Sequence, residues 1–309
     1  MVESKLYNVS LQMRSKEAFY KERENELEKD VVASYLKYGS VEELQEATLY
    51  SLPFSFASIH RILDKYGVVK AAGPNKPITE AIGFFVKMIE RKVPLETLYR
   101  SMPPRFAASM TTLHRMYRQV KEEVKKEIGE RDMRRRGTAV LLHPVQEQYL
   151  ALVGRDVSPA KIDVGRPFGA HSFPMGFSKL GEPAQDSILR VLQKEAFTPQ
   201  VLQRNFPEEV IEKSEAASPF MYLDIADVRV AVYSIALSPK LSDLSNFESF
   251  KLKNYEYIDL RELAKVKSLD RTYRLGMVEI AKGYINYVSF PKSVPSYVTS
   301  DLNLALARD

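Results

Sequence analysis

The apolar residues of this chain change their period once, near Gly137, and that change imposes a two-part fold. Before Gly137 they recur at helical spacing, as in Ile59, Ile62 and Leu63, which would share the inward face of one helix. After it come short runs rich in β-branched and aromatic residues, over 138–142, 148–153, 220–226 and 228–237, with a turn signal at His143-Pro144. The expectation is an α+β chain with an all-α first half. Boundaries are placed at 1–128 for the helical region, 129–136 for a charged linker, 137–290 for the strand-containing domain and 291–309 for a C-terminal tail.

Within the first half, residues 15–38 are charged and helix-forming and end at Gly39. Val41 to Thr48 reads as a short helix, Ser51-Leu52-Pro53 as a break, and Ser55 to Tyr66, ending at Gly67, as a longer helix. With Ile59, Ile62 and Leu63 inward, Ser55, Ser58 and Arg61 face out. The pattern recurs 54 residues later: Leu95-Glu96-Thr97-Leu98 matches Val41-Glu42-Glu43-Leu44, and Ser109, Thr112 and Arg115 take the places of Ser55, Ser58 and Arg61. Pro94 suits a first helical turn, and Pro103-Pro104 enforces a break before the second longer helix. Residues 58–68 resemble the recognition helix and turn of many bacterial regulators. Small polar side chains permit close approach to a major groove, while arginine contacts phosphate or the guanine edge. Ser55, Ser58, Arg61, Ser109, Thr112 and Arg115 are therefore the candidate DNA-binding residues. The competing reading is a helical bundle in which His60-Arg61 and His114-Arg115 cover neighbours. Neither histidine has a nucleophile and orienting acid nearby in sequence, so no catalytic residue is assigned.

Charge follows the same division. Residues 1–136 hold 25 basic and 19 acidic residues, and 54–126 hold 14 and 6, whereas the remainder is nearly balanced. A localised basic excess favours a polyanionic partner, here double-stranded DNA, over a plain scaffold. The chain has no cysteine, which excludes disulfides, thiolate metal sites and a cysteine nucleophile. No apolar run is long enough for a membrane span and the charged start does not read as a signal peptide, so a cytoplasmic protein without membrane association is expected.

Residues 174–197 carry a spacing that resembles the Nudix box: Gly, five residues, Glu, seven residues, then Arg-Glu-hydrophobic-any-Glu-Glu-any-Gly-hydrophobic. Gly176, Glu182, Arg190, Leu192 and Glu195 stand at their places, but Val191 and Lys194 replace two of the three acidic metal positions and Phe197 replaces the glycine. His171 to Gly176 resembles the strand and turn before the box helix, and Tyr255 to Leu263 the late aromatic-to-Asp-Leu segment. The resemblance implies an α/β/α sandwich with a mixed sheet over 137–290. It also implies that Glu195 is the one remaining candidate metal ligand and that Glu182 and Arg190 are structural; Asp186 has no assigned role. Valine and lysine cannot replace the hard oxygen ligands of magnesium or manganese. Arg166, His171, Lys194 and Glu195 are the candidate contacts to a nucleotide or ADP-ribose-like ligand. Positions 191, 194 and 195 share a helix face, so Val191→Glu with Lys194→Glu is expected to create a three-carboxylate cation site.

The leading expectation is a homodimeric, DNA-binding transcriptional regulator of the helix-turn-helix kind, with a degenerate Nudix-like domain that senses a ligand or mediates assembly and needs no cofactor. Nudix-related regulators commonly place the Nudix domain first, the reverse of the order here. The alternative is a divergent Nudix hydrolase of a nucleoside diphosphate derivative, requiring magnesium or manganese, and a third is an assembly protein in which both halves are scaffolds.

Overall fold

The computed structural model describes residues 21–48, 54–70, 76–100, 109–125, 135–157, 169–179, 181–270, 272–291 and 294–308. Its first half is helical: α1 (21–38), α2 (Val41–Ala47), α3 (Phe56–Lys65), α4 (Lys76–Arg91), α5 (Leu95–Arg100) and α6 (Met110–Lys125). Helix α1 ends where Gly39 takes φ +100°, a left-handed conformation that glycine adopts without a Cβ clash. The 54-residue offset holds in burial as well as in sequence, because Val41 and Leu95, Leu44 and Leu98, Ile59 and Leu113, and Tyr66 and Val120 are all buried. Val31 of α1 and Phe85 of α4 extend the correspondence, so the repeat is a three-helix unit rather than a helix pair. Residues 126–134, including most of the expected linker, lie outside the described residues, as does the break at 51–53.

The second half is built on β1 (Arg135–Pro144), β2 (Leu150–Asp156), β3 (His171–Ser172), β4 (Met175–Ser178), β5 (Met221–Ile225), β6 (Val228–Leu237), β7 (Leu252–Asp259) and β8 (Ser296–Thr299). These form a mixed five-stranded sheet in the order β4-β1-β6-β5-β8 and a three-stranded sheet in the order β3-β2-β7. Strand β1 runs parallel to β6, from Arg135 opposite Val228 to Pro144 opposite Leu237, and antiparallel to β4. Because alternate β1 residues point to opposite faces, Ala139 and Leu141 enter one core while Val140 and Leu142 enter another. The first core is covered by α10 (Leu260–Leu263) and α11 (Met277–Ser289); the second by α7 (Ala184–Glu195) and α9 (Glu208–Glu215), with α8 (Thr198–Leu202) between them turned toward the helical half. Helices on both faces of a mixed sheet make this half an α/β/α sandwich.

Two expected boundaries need correction. Strand β1 begins at Arg135, inside the expected linker, where its guanidinium pairs with the buried Asp227. The expected tail is structural: β8 pairs with β5, and α12 (Asp301–Arg308) buries Leu302 and Leu306 in the core of the second helical unit, beside Phe84, Phe85 and Leu113. The first unit is joined elsewhere, since Val201 of α8 lies in one apolar cluster with Val31, Leu44, Ile59 and Leu63. The helical half and the sandwich therefore share cores.

Candidate functional site

Each helical unit begins its third helix in the same way. Ser55 has extended backbone angles and accepts a hydrogen bond from the Ser58 amide at 3.2 Å, capping α3, while its Oγ lies 3.0 Å from that of Ser58. In the second unit the Thr112 amide donates to Ser109 Oγ at 3.2 Å and the two hydroxyls are again 3.0 Å apart. Arg61 and Arg115 are exposed one turn further along, Arg61 reaching Ser58 Oγ at 3.3 Å. The structure thus brings each sequence-predicted triplet together on one outward helix face. Capping alone explains Ser55 and Ser109, a contribution of about 1 kcal/mol each. It does not explain Arg61 and Arg115, which point to solvent at matching positions.

The units then differ. Asp64 in α3 pairs with Lys70 at 2.7 Å, whereas the corresponding residue of α6 is the exposed Arg118. His114 Nε2 meets Glu96 Oε1 at 2.6 Å, tying α6 to α5 and giving this histidine a structural partner.

The box segment keeps its frame. Glu182 and Arg190 form a part-buried pair, with Arg190 Nη2 at 2.6 and 2.8 Å from the two carboxylate oxygens. Arg190 Nη1 also donates to the Phe177 carbonyl at 2.8 Å, and the Lys179 amide donates to Glu182 at 2.8 Å. These bonds hold the loop to α7, matching the structural role that the resemblance implies for both residues.

The metal half of the box is closed. Val191 is buried among Val140, Leu142, Ile188 and Leu192, with a methyl group 3.4 Å from where a Cβ on Gly176 would stand. Glu195, only 3% exposed, accepts from the Met175 amide at 2.9 Å and forms a short ion pair with Lys251. Tyr255 fixes the same spot by donating to the Glu195 carbonyl at 2.6 Å, and burial pushes that phenol well above its ordinary range. Phe197, in the glycine position, packs against Phe206 and Phe247. A divalent cation does not fit here: one partner is aliphatic, one is cationic, and the carboxylate is held by an ammonium. Among the described residues no group of three His, Asp or Glu side chains is arranged to hold a metal ion.

The ligand candidates do not converge. Arg166 lies outside the described residues. His171 sits in β3, its Nδ1 3.3 Å from Glu256 Oε1 in geometry too poor for a hydrogen bond, with its ring against Tyr273. Burial holds its pKa below the ordinary histidine value, against the opposing pull of Glu256. Lys194 is turned toward the end of α1, its Nζ 2.6 Å from where a Cβ on Gly39 would stand. Lys251, Gln193 and Tyr255 were missed by sequence reasoning. Lys251 is 56 positions from Glu195, a separation that carries no periodic signal.

No protein-family model matches the sequence, and no curated protein matches it. Some solved structures are similar in part. A MutT protein from Methanosarcina mazei Go1 is 10% identical, with 52% of this chain and 96% of that one covered and a TM-score of 0.33. A NUDIX hydrolase from Nitrosomonas europaea is 11% identical over 55% and 82%, TM-score 0.35, and a MutT/nudix family protein from Enterococcus faecalis 13% identical over 72% and 78%, TM-score 0.35. At identities and scores this low, the chemistry of the site is read from its own residues.

Proposed function

We propose that this chain is a DNA-binding protein, a regulator of transcription, whose two helix-turn-helix units are carried on a Nudix-like body that performs no hydrolysis. The observation that carries the reading is the matched pair of outward faces, Ser55-Ser58-Arg61 and Ser109-Thr112-Arg115, built with the same capping bonds. The basic excess of 54–126 adds a long-range attraction to phosphate. Two reading heads in one chain supply what a regulator with one unit obtains by pairing subunits, so a homodimer is not required by this reading. The body acts in assembly; a nucleotide-sensing role would need contacts other than Lys194 and Glu195.

The test uses the whole chain, because both units share cores with the sandwich. Fluorescence anisotropy with random-sequence and selected duplexes is expected to give binding that weakens steeply with salt, the log–log slope changing by about −0.9 for each phosphate neutralised. Arg61→Ala and Arg115→Ala are each expected to cost about 1–3 kcal/mol where they reach base edges. No binding at low salt, or binding indifferent to salt, overturns the proposal.

The retained Glu182–Arg190 frame favours one second reading, the divergent hydrolase. With magnesium or manganese, turnover of ADP-ribose, dinucleotides and nucleoside triphosphates is expected to be negligible, since cations that offset phosphate charge have no ligand set. Efficient turnover abolished by Glu195→Gln would establish the hydrolase instead.

A further inference from the structure

We infer that the C-terminal part of α7, together with α8, is a docking seat for the first helical unit, and that the charge at Lys194 is set by this contact. Gln193, buried at 4% exposure, grips the turn after α3 from both sides: its Oε1 accepts from the Val69 amide at 2.9 Å and its Nε2 donates to the Gly67 carbonyl at 2.8 Å. Beside it, the Lys194 ammonium lies over Gly39 at the C-terminal end of α1, where helix carbonyls carry partial negative charge. A carboxylate at 194 would be repelled there. The vacated metal position and the docked helix thus have a common cause.

The seat continues through α8 and the residues just after it. Val201, Leu202 and Phe206 pack against the apolar cluster of α1–α3. Arg204 stacks on Tyr66, 4.2 Å from the ring centroid, and its Nη2 lies 3.2 Å from Glu28. Glu28 is buried and also receives Lys65 at 2.7 Å, so a carboxylate from α1 is neutralised from both sides of the seam. Gln193 and Arg204 each meet polar partners on the other side, which distinguishes a built interface from surfaces that merely touch.

The second unit is held by α12 and Ala226 instead. A displacement of α7–α8 therefore moves the Ser55–Arg61 face relative to the Ser109–Arg115 face, and the seat sets the spacing of the two heads. This consequence rests on the proposed DNA-binding function; the seat itself does not.

Hydrogen–deuterium exchange on the full chain tests the seat without DNA. Gln193→Ala and Lys194→Glu are each expected to speed exchange of the amides at 39–40 and 67–69 by about tenfold, the factor worth 1.4 kcal/mol. Leu113 and Val120 in the second unit should keep their rates. Arg204→Met, which removes the pair with Glu28 while leaving α7 intact, should give the same selective signature at α1–α3 and serves where an α7 variant fails to fold. Unchanged protection at 67–69, or a uniform rise over both units and the sandwich, overturns the inference.

Discussion

Lys251→Met is expected to lower folding stability by about 3–5 kcal/mol, the usual loss when one partner of a buried ion pair is removed. The Glu195 side chain is only 4% exposed and Lys251 18%, so the carboxylate cannot recover water when the ammonium leaves. Among the described residues, its two oxygens would retain the Met175 amide. The double substitution Glu195→Gln with Lys251→Met should recover most of the loss, because no uncompensated charge then remains. Urea unfolding of the parent, both single variants and the double variant completes the cycle. A cost below about 1 kcal/mol for Lys251→Met would mean that the pair is solvated like a surface bridge, and Glu195 would again be available to a cation.

This pair marks the limit of what was legible in the sequence. Periodicity within one element was enough to find the outward faces of α3 and α6, because a helix fixes which residues share a side. It was also enough for β5 and β6, which fall within the runs at 220–226 and 228–237, whereas α7 was read from the resemblance of 174–197 to the Nudix box. Glu182 and Arg190 were readable because they lie eight positions apart, within one loop-and-helix motif. Lys251, by contrast, reaches Glu195 only after β7 has been placed beside β2. The same holds for Gln193, whose partners Gly67 and Val69 lie more than a hundred positions away. The apparent tail failed for a related reason: β8 is short and gains its hydrogen bonds from β5, while α12 is stabilised by apolar residues from α4 and α6.

Val191→Glu combined with Lys194→Glu is expected to destabilise the protein by several kcal/mol, and magnesium or manganese should not restore it. A helical wheel places positions 191, 194 and 195 on one face and points to a three-carboxylate site. The folded chain divides them. Val191 faces the apolar core between α7 and the sheet, Lys194 faces the end of α1, and Glu195 is held by Lys251. Most of the loss should come from the change at Val191, which forces a carboxyl among Val140, Leu142 and Ile188. Burial would raise the pKa of that new group above the usual value of about 4.3, so the folded state would bind the proton more tightly than the unfolded state. Stability would then be greatest below about pH 4.3 and fall as pH rises through the raised pKa, leaving the variant weakest at neutral pH. Melting curves of parent and double variant at pH 5 and pH 7, with and without manganese, read both effects. If the cation raises the melting temperature of the double variant more than that of the parent, α7 can turn its three positions toward a shared ligand, and the docked arrangement of 193–195 is not fixed.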